Sequence, residues 1–177
     1  MSYITRNQLR DYRIRIDEVS LSGTQERLRK SLYSKKIFLS HSHLDRDLVE
    51  SARFLLAEHG VQEVYIDWKD LNMPNITSPE TAEQLKNHIS DSNKFIMLAS
   101  ENAINSRWVP WELGYADSAK GISNIAIFPV KNDYDRDWQR VEYLGIYHVI
   151  MITDSNELAV FPPGNTKGWH LKNWMKS

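Results

Sequence analysis

The sequence predicts an α/β fold with a parallel sheet covered by helices on both faces. Two observations carry this. Short apolar runs alternate with helical patterns five times along the chain, the signature of parallel strands joined by helical crossovers. One of these runs, Lys94-Phe95-Ile96-Met97-Leu98-Ala99-Ser100, is apolar enough for a strand buried on both faces.

The elements follow in order. Residues 1–34 set Leu9, Tyr12, Ile14, Ile16, Val19, Leu21, Leu28 and Leu32 among many charges. They read as one or two amphipathic helices, broken near Ser22-Gly23. Lys35-Lys36-Ile37-Phe38-Leu39-Ser40 reads as the first buried strand. After the polar stretch Ser40-His41-Ser42-His43, Leu44, Leu48, Ala52, Leu55 and Leu56 recur at helical spacing. Asp45 and Asp47 suit the helix N-terminus and Gly60 its stop. Such a strand–loop–helix turn exposes backbone N–H groups to a phosphate.

Glu63-Val64-Tyr65-Ile66-Asp67-Trp68 is the second strand, ending in an acid and an indole. Leu71 to Pro79 carries Asn, Pro and Ser and reads as a loop. Ser78 or Pro79 starts a helix through Glu83, Leu85 and Ile89. The third strand, Lys94–Ser100, follows, then a helix opening near Ser106. Asn124–Val130 and Tyr147–Ile152 are the fourth and fifth strands, and Asp135–Val141 suits a helical turn. The tail ends in Trp169–Trp174, a short helix closing over the core.

Composition narrows the classes. Hydrophobic residues make up 41% and charged residues 25%, which excludes disorder for these 177 residues. The net charge is −1 with no long basic run, so no nucleic-acid surface is expected. The absence of cysteine removes disulfides, Cys-ligated zinc and a Cys nucleophile. No apolar run approaches the ~20 residues of a membrane span, and no signal-peptide core is evident. A cytoplasmic protein is expected, with no membrane partner. Six Trp and eight Tyr exceed ordinary core needs and suit stacking or interfaces.

One helix concentrates the chemistry. On a wheel of about 100° per residue, Tyr115, Trp108, Ala119, Glu112, Ala116, Val109 and Leu113 fill one broad arc. Glu112 lies at its centre. A carboxylate in an apolar arc needs a partner, an opening to water, or a chemical task. Trp108 lies one turn earlier on the same face. A structural acid paired with Lys or Arg is the alternative. In a parallel sheet, ligands bind outside the carboxyl ends of the strands. The Ser40–His43 loop, the Asp67-Trp68 end and the start of the Glu112 helix all fall at that edge.

Other chemistries fit less well. His41-Ser42-His43-Leu44-Asp45 matches the start of the H-x-H-x-D-H motif of metallo-β-lactamase-like hydrolases. The sixth position is Arg46, so a dinuclear metal hydrolase is not expected, nor any metal. There is no G-x-G-x-x-G, no P-loop and no G-x-S-x-G elbow.

Four stretches resemble the TIR (Toll/interleukin-1 receptor) domain family in its bacterial form. They are Lys36–Ser42, Val64–Asp67, Ile89–Ser100, and Ser106-x-Trp108-x-x-x-Glu112-Leu113. They follow in the family's order, and the resemblance as a whole covers roughly Lys35 to Ile152. The resemblance implies a flavodoxin-like fold with a five-stranded parallel sheet. It divides the chain into an N-terminal helical extension (1–34), a TIR domain (35–153) and an aromatic tail packed on the domain (154–177). It implies an NAD⁺ glycohydrolase or cyclase that gives ADP-ribose or a cyclic ADP-ribose signal in bacterial antiviral defence. NAD⁺ is then substrate, and no separate cofactor is implied.

Glu112 matches the family's essential glutamate and Trp108 an aromatic lining the site. His41, Ser42, His43, Asp67 and Trp68 match segments beside the dinucleotide. Self-association with other TIR domains and a downstream effector protein are the implied partners. Two departures stand out. Pro110 must occupy the first helical turn or bend the helix, and the Leu71–Pro79 loop lacks the family's usual glycine. A non-enzymatic TIR interaction module and a nucleoside 2-deoxyribosyltransferase-like enzyme remain as alternatives.

Overall fold

The computed structural model describes residues 1–19, 35–70, 78–138 and 141–177. The expected helix break near Ser22-Gly23 and most of the Leu71–Pro79 loop lie outside these residues. The chain begins with a two-residue strand β1 (Ile4–Thr5) and helix α1 (Arg6–Val19). Then come β2 (Lys36–Ser40), α2 (Arg46–Glu58), β3 (Glu63–Tyr65), α3 (Pro79–Asp91) and β4 (Lys94–Ala99). A one-turn helix α4 (Glu101–Ile104) precedes α5 (Trp108–Lys120) and β5 (Ile125–Lys131). The end of the chain is β6 (His148–Ile152), β7 (Leu158–Phe161), β8 (Trp169–His170) and α6 (Leu171–Trp174).

Five strands form the expected parallel core in the order β3-β2-β4-β5-β6. The chain steps outward to β3, returns past β2 to β4, and then continues the other way. That reversal places the carboxyl ends of β2 and β4 at the crevice where such sheets take ligands. Three further strands extend the sheet beyond the expectation. β7 and β8 pair antiparallel beyond β6, and β1 runs parallel to the end of β5, with Ile4 opposite Val130. The tail is therefore a strand pair plus one helical turn.

Strand alternation sorts the core into two layers. Ile37, Leu39, Ile96, Leu98, Phe128 and Ile150 face one side, covered by Leu9 of α1, by α2 and by Trp174 of α6. Phe38, Phe95, Met97, Ala99, Ile125 and Ile127 face the other, covered by Leu85 and Ile89 of α3 and Val109, Leu113 and Ala116 of α5. Every residue of β4 is buried, as a central strand with helices on both faces must be.

Local signals explain the element ends. Ser78 accepts a hydrogen bond from the Thr81 N–H and Pro79 opens α3, a cap followed by a preset φ. Gly60 ends α2 with φ +92°, in the left-handed region glycine tolerates. The α2 pattern begins later than its apolar spacing predicts. Leu44 lies in a 3₁₀ turn (His43–Asp45) and is 78% exposed, while the α-helix starts at Arg46. Among the described residues, no helix is long and apolar enough to cross a membrane.

Candidate active site

The site begins with Ser40, the last residue of β2. Alternation turns it to the same face as Phe38, toward α5. Its hydroxyl donates to Glu112 Oε2 at 2.5 Å. Glu112 is only 5% exposed. Burial pushes its carboxyl up to about 8. The Ser40 hydrogen bond pulls it down and the Asp67 charge adds to the rise. Among the described residues no cation pairs with Glu112, so the salt-linked structural acid is not the arrangement present.

Helix α5 holds that carboxylate by a local device. Ser106 Oγ accepts from the N–H groups of Trp108 and Val109 at 3.2 and 3.4 Å, capping the first turn. Pro110 falls within that turn, where a missing N–H costs nothing. The helix therefore runs unbroken through Glu112, with Val109, Leu113 and Ala116 buried beside it. Ala119, placed in the apolar arc by the wheel, is exposed instead.

The two loops beyond the strand ends meet next to this pair. His41 Nε2 lies 3.4 Å from Asp67 Oδ1 and His43 Nε2 lies 3.7 Å from Asp67 Oδ2. His41 Nδ1 donates to the Leu39 carbonyl at 2.9 Å. Burial lowers the pKa of His41, while Asp67 and the Leu39 contact raise it. Asp67 is fixed in turn by the Trp68 N–H, 2.7 Å from its Oδ1. Ser42 is committed to structure: its Oγ accepts from the Leu44 N–H and caps the 3₁₀ turn.

The two indoles lie on opposite sides of the sheet. Trp108 packs with the α3–α5 layer and stands edge-on to Trp111, ring centres 5.2 Å apart at 89°. Trp68 packs against the α1–α2 layer, with the cations of Arg46 and Lys69 5.3 and 5.2 Å from its ring centre. The structure thus gathers Ser40, Glu112, His41, His43 and Asp67 closely, keeps Trp108 in the layer of the Glu112 helix, and puts Trp68 in the other layer.

A buried network behind the loop was not foreseen. Asp45 is fully buried and takes Arg6 Nη2 of α1 at 3.0 Å, Asn102 Nδ2 at 2.7 Å, and the Ser100 hydroxyl. Asp47 pairs with Arg10 of the same helix at 2.6 Å. These two acids are therefore neutralised by α1. Two hollows lie away from the gathered site residues: one of about 430 Å³ is lined by Ile104, Lys131, Arg136 and Trp138, one of about 360 Å³ by Lys36, Tyr65, Asp70 and His88.

Comparison with known proteins agrees with this geometry. The family model described as TIR domain matches residues 37–159. A probable 3' cyclic ADP-D-ribose synthase ThsB' of Bacillus cereus (strain MSX-D12) is 34% identical over 148 residues, which are 79% of this chain and 75% of that protein. A putative cyclic ADP-D-ribose synthase TIR2 of Cytobacillus dafuensis is 26% identical over 113 residues, 55% of this chain and 30% of that protein. The family model alone spans well over half of the chain, and the chain belongs to the TIR domain family.

Proposed function

We propose that this protein cleaves NAD⁺ at the nicotinamide–ribose bond, with Glu112 as the catalytic carboxylate. The observation that carries this is Glu112 itself: an acid held at the sheet's carboxyl edge by one hydroxyl and no cation among the described residues. Both relatives are named as cyclic ADP-D-ribose synthases, which supports the same substrate and favours a cyclic product.

The chemistry follows from the electrostatics. At neutral pH the free site holds Glu112 protonated, because burial raises its carboxyl to about 8. The nicotinamide ring of NAD⁺ carries a positive charge. Its arrival favours ionisation of the acid beside it. The C1′–N bond then breaks with its electron pair leaving on nicotinamide, which departs neutral. The ribose becomes an oxocarbenium-like cation facing the Glu112 carboxylate. Water attack gives ADP-ribose; attack from within the same molecule gives the cyclic product. Trp108 stacks on a ring of the dinucleotide. His41, Ser42, His43 and Asp67 flank it, and Trp68, across the sheet edge, borders the far side of the same rim. Other copies of this chain and an effector that reads the product are the partners of this activity, and bacterial antiviral defence its setting.

The test is NAD⁺ turnover by the full chain with products identified by mass spectrometry. Wild type should release nicotinamide and an ADP-ribose species, and Glu112→Ala should lose at least about 10³-fold, the scale of a lost electrostatic stabiliser. Turnover that survives Glu112→Ala rejects the assigned role.

A further inference from the structure

We propose that His41, His43 and Asp67 form a site for one divalent transition-metal ion of the zinc class. The three side chains come from two loops that the fold brings together at the carboxyl ends of β2 and β3. Their ligand atoms lie within 4.8 Å of one another. The two histidine–carboxylate separations are 3.4 and 3.7 Å. A tetrahedral ion with bonds of about 2.0–2.1 Å sets its ligands roughly 3.4 Å apart. Each histidine already stands at nearly that spacing from one oxygen of Asp67, and a small rotation of the exposed His43 ring closes the remaining separation, which is within 4.8 Å.

A second observation points the same way. The Nδ1 proton of His41 is committed to the Leu39 carbonyl. A neutral ring then carries only a lone pair on Nε2. That atom is buried, has no hydrogen-bond partner among the described residues, and its side chain is 2% exposed. It faces a carboxylate oxygen. Two electron-rich atoms in a buried place call for a positive charge between them. An ion supplies it. The Nδ1–H contact to a backbone carbonyl is also how proteins orient metal-bound histidines.

The ligand types choose the ion. Two imidazoles and one carboxylate suit zinc and its neighbours, whereas magnesium and calcium favour all-oxygen sites. His43 has a side chain 61% exposed, which leaves a path and a fourth position open to water. Arg46 stands where a dinuclear hydrolase has its next histidine, so the site holds a single ion. Bound there, the ion occupies the rim assigned above to the dinucleotide, and zinc inhibits turnover. That consequence rests on the proposed function; metal binding does not.

The experiment uses tag-free, chelator-treated full chain. Zinc is titrated by calorimetry and cobalt(II) by visible absorption. Wild type should bind one ion and show the intense d–d band of a tetrahedral site. Since outer-shell partners alone are worth about 10- to 100-fold in affinity, His43→Ala and Asp67→Asn should each weaken binding by at least about 100-fold. Both should keep wild-type circular dichroism, and His170→Ala should bind like wild type. No binding up to about 1 mM metal, at odds with a three-ligand site, overturns the proposal, as does equal affinity in the two loop variants. If zinc binds as stated but leaves turnover unchanged, the metal site stands and the dinucleotide's placement on this rim falls.

Discussion

The Ser40 hydroxyl donates to Glu112 Oε2 across 2.5 Å, tying the end of β2 to the second turn of α5. Among the described residues it is the hydrogen bond that holds the buried carboxylate, and it opposes the burial that would keep that group neutral. The acid is thus mostly protonated at neutral pH and ionises just above it.

That shift sets a pH profile. In the proposed mechanism the carboxylate form is the active one, and its free-enzyme pKa is raised to about 8. For NAD⁺, kcat/KM should climb by about tenfold per pH unit below that value and level off above it. Initial rates between about pH 6 and 9.5 check this against the Glu112 pKa of about 8. A profile flat from pH 6 upward would mean the carboxyl is already ionised in the free protein.

The same shift marks stability. The folded pKa, about 8, lies above the unfolded value of 4.5. Between those values the unfolded carboxyl loses its proton while the folded one keeps it. Unfolding therefore releases a proton, and stability falls as pH rises. The contribution is whole below pH 4.5 and gone by about pH 8, on the order of a few kcal/mol. Glu112→Gln should flatten this slope. Urea unfolding of both proteins at pH 5 and pH 8.5 measures it, with the linkage slope as the reference.

Ser40→Ala separates the hydroxyl from the strand. Without its donor the ionised carboxylate loses stabilisation, so the acidic limb of kcat/KM moves to higher pH. A hydrogen bond to a charged group is worth about 1.5–3 kcal/mol, so activity at pH 7 should fall about 10- to 100-fold. The deficit should shrink at high pH. A uniform loss at every pH would assign Ser40 a different task.

Much of this was legible before any coordinates. The five parallel strands followed from apolar runs bounded by turn residues, and Glu112 followed from its place in an apolar arc. The sequence places Ser40 at the ligand edge with its loop but not against Glu112, because it reads as the plain end of a strand. The signal was there: a serine where a buried strand would carry an apolar side chain, on the same face as Phe38. Strands β7 and β8 were missed because Leu158–Phe161 is short and precedes two prolines. The Asp45 network was beyond reach of pattern. Its partners Arg6, Ser100 and Asn102 come from three separate segments, and only the fold brings them together.

Trp108 tests the stacking role. Base–aromatic stacking is worth about 1–3 kcal/mol. Trp108→Ala should raise KM for NAD⁺ by roughly 5- to 150-fold, while Trp108→Phe keeps most of the affinity. Steady-state kinetics on both variants resolve it. A fall in kcat with unchanged KM would instead place the indole in the chemical step or in the support of α5.

Arg6 and Asp45 carry the last prediction. Their ion pair joins α1 to the turn that presents His41, Ser42 and His43. Asp45 is fully buried, and Arg6 is the cation beside it. Removing one member of a buried pair leaves the other uncompensated and costs about 3–5 kcal/mol. Arg6→Ala and Asp45→Ala should each destabilise on that scale. The double variant should lose less than the sum, because neither charge is then stranded. Urea midpoints give the three values. NAD⁺ turnover should fall in Arg6→Ala even where the protein is fully folded, since the turn beneath the histidines has lost its anchor. Full activity in folded Arg6→Ala would show that α1 serves stability alone.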